Sequence, residues 1–147
     1  MARGEMIVAI NRPVEEVFAF VADGTKASEW QSEVVAAWQT SIGAVGVGTT
    51  YRAVRTHLRQ EIEATIEITE YEPNKKVSFV STSGSTECVD SYAFQAVGSG
   101  TRVTFAFESG SKVRTGRFLC QREASDLSAL KAVLEIGDLA ALRAMGY

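Results

Sequence analysis

Two hydrophobic periods run along this chain, and the switch between them marks its architecture. From Gly116 to Ile136 the sequence GRFLCQREASDLSALKAVLEI sets Leu119, Leu127, Leu130, Val133 and Leu134 on one stripe at helical spacing. Arg117, Arg122, Glu123, Asp126, Lys131 and Glu135 occupy much of the remaining surface. This pattern predicts one long amphipathic helix. Ahead of it, about 70 residues alternate with the period of strands. A twisted sheet with one apolar face and one helix to cover it makes a two-layer α+β domain.

Taken in order, Glu5 to Ile10 reads as a first strand. NRPVEEVFAFVAD then starts a helix: Pro13 suits the first turn, Glu15 and Glu16 complement the dipole, and Asn11 or Arg12 falls at the cap. Val14, Val17, Phe18 and Val21 form its buried face. Asp23-Gly24 ends it, and Lys26 to Gln31 makes a second short turn ending near Trp30. From Glu33 the period becomes two. The pattern predicts a strand through Gln39, a hairpin of Thr49 to His57 and Gln60 to Glu70, then strands over Val77 to Ser83, Thr86 to Val97 and Thr101 to Glu108. Ile62, Ala64, Ile66 and Ile68 alternate with Glu61, Glu63, Thr65, Glu67 and Thr69, as in a half-solvated antiparallel strand. Turns fall at Leu58-Arg59-Gln60, Tyr71-Glu72-Pro73-Asn74, Ser83-Gly84-Ser85 and Gly98-Ser99-Gly100. Every strand-to-strand connection is short enough for an antiparallel meander.

Composition narrows the functional classes. A chain of 147 residues with 46% hydrophobic and 22% charged residues fits one globular domain. A net charge of −3 argues against an electrostatic nucleic-acid binder. No apolar run reaches the roughly 20 residues of a membrane span. The opening MARGEMIVAINRP suits a strand better than a signal peptide, so a cytoplasmic protein is expected. The loop SIGAVGVGT lacks the Lys-Ser/Thr of a phosphate cradle and leads into a strand, which favours a mobile hairpin loop. Cys88 and Cys120 offer no metal-ligand spacing, and with one histidine no metal site is expected. Free thiols are the expectation for both in that compartment.

INRPVEEVFAFVADGTKASEW, VGVGTTYRAV, ITEYEPNKKVSF, the glycine turn before TRVTF, and DLSALKAVLE resemble successive landmarks of the START-like (SRPBCC, polyketide cyclase/dehydrase, Bet v 1-like) superfamily. The resemblance covers essentially the whole chain as a single domain, 1–147. It implies a helix-grip fold: a seven-stranded antiparallel sheet wrapped around a long C-terminal helix, with two short helices after the first strand. It also implies an apolar cavity between sheet and helix. Members bind lipids, sterols, plant hormones or polyketides, some cyclise or dehydrate polyketides, and others bind chaperones. The expected function is binding of a hydrophobic or amphipathic small molecule (a lipid, polyketide or aromatic metabolite) without a cofactor, by a monomer or homodimer. A cyclase or dehydratase is the alternative, and an interaction module with a packed interior a third reading.

Trp30 matches a tryptophan often seen near the cavity in such proteins. Tyr51, Tyr92, Phe105 and Phe107 are core residues that double as pocket wall. Asp90 shares a strand face with Cys88, Tyr92 and Phe94, the face expected to point inward. A carboxylate there is paired, hydrogen-bonded or shifted in pKa, and can orient a polar ligand or act as a general base. The competing placement sets it at a rim beside Arg122. His57, the one residue with an ordinary pKa near neutrality, is the second acid–base candidate, although its neighbours put it at an exposed hairpin tip. Arg52, Arg55 and Arg59, with Arg114, Arg117 and Arg122, either rim an opening or balance the glutamates across the sheet. No Ser-His-Asp arrangement is present.

Overall fold

Seven stretches of alternating sequence become seven strands. A computed structural model describes residues 2–109 and 123–136 of the chain. The strands are β1 (Ala2–Ile10), β2 (Val34–Gln39), β3 (Thr50–His57), β4 (Gln60–Glu72), β5 (Lys76–Ser83), β6 (Thr86–Val97) and β7 (Gly100–Ser109). Helix α1 (Val14–Ala22) and a 3-10 segment (Gly24–Glu29) lie between β1 and β2, and helix α2 (Glu123–Ile136) follows β7. All strand pairs are antiparallel, in the order β1-β7-β6-β5-β4-β3-β2. The first strand thus joins the last, with Ala2 opposite Ser109 and Ile10 opposite Thr101.

Local chemistry explains the turns. Leu58 and Arg59 have φ of 49° and 67°, so both central residues of this two-residue hairpin are left-handed and match the twist of the flanking strands. Pro13 occupies the cap position of α1, with φ −58° and ψ 147°, one place earlier than the sequence pattern suggests. Tyr71 and Glu72 belong to β4, and Asn74 with φ 64° makes the turn that follows. The 3-10 segment ends at Trp30, whose N–H donates to the Ala27 carbonyl at 3.3 Å. The anticipated first third of the long helix, 116–122, lies outside the described residues.

One face of the sheet carries the core. Tyr51, Ile68, Val77, Tyr92, Phe94, Val103 and Phe105 are buried there against Val17, Phe18 and Val21 of α1. From α2 come Leu127, Leu130 and Leu134, three of the five residues of the sequence stripe. Glu61, Glu63, Thr65, Glu67 and Thr69 stay exposed on the opposite face of β4. The helix is also tied by polar contacts: Lys131 Nζ donates to the Ala9 carbonyl at 2.7 Å and to Glu135, and Glu135 Oε2 accepts from the Asn11 amide at 3.2 Å. Gly4 of the edge strand β1 lies beneath the Phe107 ring from β7, where an added Cβ would come within 2.4 Å of a ring carbon. No helix among the described residues is long and apolar enough to cross a membrane.

Leu130 is fully buried, so Leu130→Ala should lower the free energy of unfolding by about 2–5 kcal/mol in urea denaturation. Ala132→Lys, at an exposed position of the same helix, should change it by less than about 0.5 kcal/mol. Equal effects would contradict this seating of α2 on the sheet.

Candidate functional site

The concave face of the sheet does not close completely against the helical layer. A small cavity of about 30 Å³ remains, walled by Val21 of α1, Ala27 of the 3-10 segment, Trp30, and Val34 of β2. Ala53 and Arg55 of β3, Ile66 of β4, Phe79 and Ser81 of β5, and Asp90 and Tyr92 of β6 complete the sheet side. Asp23, Gly24 and Gln31 fill the gaps on the other side. Strand alternation explains the set: Tyr51, Ala53 and Arg55 share one face of β3, and Asp90 and Tyr92 share one face of β6. Register brings Phe79 opposite Asp90.

Tyr92 is the hub of the aromatic wall. Trp30 and Phe79 each meet it edge-on, with centroids 6.1 Å away and planes at 79° and 80°. Phe105 lies tilted behind it at 4.8 Å, and Phe107 stacks on Phe105 at 6.0 Å. The two phenylalanines therefore support the wall and do not line this cavity.

Asp90 is the chemical exception in that wall. It is half-buried and lines the cavity. Burial pushes its carboxyl up to about 6, against a partial pull from the Arg55 charge. No hydrogen bond to a described residue offsets the burial. Arg55 Nη2 donates to Gln31 Oε1 at 3.3 Å, holding the guanidinium at the cavity's edge.

The segment Gln31-Ser32-Glu33, between the 3-10 segment and β2, is fastened residue by residue. Gln31 accepts from Arg55, Ser32 N–H donates to Asp126 Oδ1 of α2 at 3.0 Å, and Glu33 Oε1 lies 3.1 Å from His57 Nδ1. Burial raises the Asp126 carboxyl, opposed by its hydrogen bonds from Ser32 and by Arg55.

Of the residues singled out from sequence, Trp30, Asp90 and Tyr92 meet at the cavity. Tyr51 is fully buried beside it, under Gly24, where an added Cβ would come within 2.9 Å of its ring. Its hydroxyl has no hydrogen-bond partner among the described residues, and burial raises its pKa, partly offset by the Gly24 backbone. His57 is not at an exposed tip: its side chain is 19% exposed and faces Glu33 of the segment before β2. It does not line the cavity. Cys88 is buried and disulfide-bonded, which corrects the expectation of free thiols; Cys120 lies outside the described residues. So do Arg114, Arg117 and Arg122.

Sequence reasoning missed Gln31 as a cavity residue, and offered Arg55 only within a group that rims an opening or balances surface glutamates. The signal for Arg55 was available, since it continues the inward alternation of Tyr51 and Ala53. Arg52, on the opposite face, pairs with Glu63 at 2.9 Å as a surface charge should. Among the described residues no group of three His, Cys, Asp or Glu could hold a metal ion.

Comparison with known proteins follows this geometry. The family model described as polyketide cyclase/dehydrase and lipid transport matches residues 1–135. No curated protein sequence matches significantly. Among solved structures, the di-domain ARO/CYC BexL from the BE-7585A biosynthetic pathway superposes with a TM-score of 0.72 at 18% identity, over 92% of this chain and 47% of that one. This chain therefore corresponds to about half of BexL. Ara h 8.0201 superposes at 0.70 with 10% identity, over 90% of this chain and 97% of that one. The Aha1 dimer from Colwellia psychrerythraea gives 0.63 at 20% identity, over 94% and 99% respectively. At these identities the structural matches establish the fold alone.

The raised Asp90 value has a pH consequence of definite sign. Between the unfolded value near 3.8 and the folded value of about 6, the folded chain holds more protons than the unfolded one. The Asp90 contribution to stability is therefore most favourable at low pH and falls as pH rises through that window. Asp90→Asn should gain on wild type by on the order of 3 kcal/mol between about pH 4 and about pH 8, read from paired urea titrations. A difference independent of pH would contradict a desolvated, titrating carboxyl.

Proposed function

The chain belongs to the polyketide cyclase/dehydrase and lipid transport family, and from that premise we propose that it binds a hydrophobic or amphipathic small molecule between the concave sheet face and the helical layer. A lipid, polyketide or aromatic metabolite is the class in view. One observation carries the reading: Asp90 lines the cavity beside the aromatic side chains of Trp30, Phe79 and Tyr92 without a hydrogen bond to a described residue. Such a carboxyl costs stability, and an apolar residue of similar size would not. A ligand group that reaches it removes part of that cost.

The volume of about 30 Å³ has room for about one water molecule. Ligand entry therefore requires a wall to move. The stretch from Asp23 to Val34 supplies six of the lining residues. Glu33 and Val34 are held to β3, but its 3-10 segment, Gly24–Glu29, has none of the ladder bonding that holds the strands. That makes it the wall that yields at least cost.

The second reading is an enzyme, a cyclase or dehydratase. It is favoured by the Asp90 carboxyl at about 6, close to the value a general base needs near neutral pH. Asp90 would take the proton and Arg55 would stabilise developing negative charge. Tyr51 and His57 have no direct part in this scheme, since neither lines the cavity.

Native mass spectrometry of protein purified from its own host, followed by denaturing extraction, separates these outcomes. Binding predicts a stoichiometric small-molecule adduct, lost or weakened at least about tenfold in Trp30→Ala through loss of one aromatic wall. A clean mass, with no small apolar probe able to quench Trp30, would remove the binding reading. Turnover by wild type but not by a folded Asp90→Asn variant would move the assignment to the enzyme.

A further inference from the structure

Charge decides which ligands this cavity accepts. Asp90 needs hydrogen-bond donors, because an ionised carboxylate can only accept. Arg55 offers donors and a permanent positive charge at the same end of the cavity. A ligand carboxylate or sulfonate would gain Arg55 but meet Asp90. It would also meet Asp23, a lining carboxylate whose Oδ1 accepts from Thr25, and come near Asp126, which feels the Arg55 charge. His57 already faces Glu33 and supplies no cavity charge of its own. A ligand ammonium would gain Asp90 but meet Arg55 where the surroundings screen poorly. An uncharged group that donates to one and accepts from the other satisfies both.

The remaining wall favours a ring. Trp30 and Phe79 each stand near-perpendicular to Tyr92, which suits a planar ligand held by edge and face contacts. We propose that the cavity selects an uncharged cyclic ligand carrying a hydroxyl and a carbonyl on the same side, the hydroxyl donating to Asp90 and the carbonyl accepting from Arg55. This rests on the binding reading above, and makes Asp90 and Arg55 the residues that set its specificity.

Calorimetric titration of the full chain with four probes of matched size tests it. These are a hydroxytetralone with its hydroxyl meta to the carbonyl-bearing carbon, the parent tetralone, naphthoate and an aminotetralin. The hydroxytetralone should bind about ten- to a hundredfold more tightly than tetralone, as one hydrogen bond to a charged acceptor implies. Naphthoate and the aminotetralin should bind more weakly than the hydroxytetralone. In Asp90→Asn the preference for the hydroxyl should shrink to a few-fold and naphthoate should bind better than to wild type, a gain that mere loosening of the fold does not produce. If that variant fails to fold, wild type supplies the same readout. Its naphthoate affinity should rise as pH falls from about 8 to about 5, where Asp90 is protonated and naphthoate still ionised.

Equal affinities for hydroxytetralone and tetralone would overturn the selection and leave the binding cavity standing. Naphthoate binding as tight as the hydroxytetralone's would do the same. Failure of all four to bind would overturn both.

Discussion

A carboxylate set among aromatic rings has to be compensated, and Asp90 makes that demand on the sheet and helices around it. β6 turns it toward the cavity beside Tyr92, Phe79 lies opposite it, and Arg55 supplies a countercharge. Arg55 is in turn positioned by Gln31, and the tripeptide Gln31-Ser32-Glu33 is tied to β3 through His57 and to α2 through Asp126. The polar contacts that join the two layers at this end thus converge on the same short segment that walls the cavity. An event at Asp90 or Arg55 has a direct physical route to the wall that must yield for a ligand to enter.

The aromatic hub serves a different purpose. Tyr92 is braced by Trp30 and Phe79 on the cavity side and by Phe105, with Phe107 beyond it, on the other. Phe107 also covers Gly4 of the edge strand, so the brace extends to the point where the first strand joins the last. Rigid strands hold one side of the cavity and a short 3-10 segment the other. A site of this construction keeps its polar groups in fixed places while leaving one wall adjustable.

Much of the fold was legible because period carries it. The strand of Ile62, Ala64, Ile66 and Ile68 could be read from alternation alone, and Leu127, Leu130 and Leu134 from helical spacing. Pairing of β1 with β7 was not legible, since nothing local in MARGEMIVAI specifies a partner about 100 residues away. At the site, alternation along β6 placed Asp90 inward correctly. The same rule applied to β3 would have placed Arg55 there too, but neighbouring Arg52 and Arg59 made the three look like one surface group. His57 was misjudged as exposed because its partner, Glu33, comes from the distant segment before β2. The disulfide at Cys88 escaped prediction for a similar reason: the joining of distant cysteines depends on tertiary geometry, and their spacing says nothing about it.

The measurement closest to the centre of this account is a carbon-13 NMR titration of the Asp90 side-chain carboxyl in ligand-free protein, assigned by comparison with Asp90→Asn. A midpoint of about 6 is predicted, as desolvation in the cavity wall without a hydrogen bond to a described residue requires. A midpoint near the ordinary aspartate value of about 3.9 would mean that Asp90 is solvated or paired. The cavity would then lack the polar end on which both the proposed function and its specificity depend.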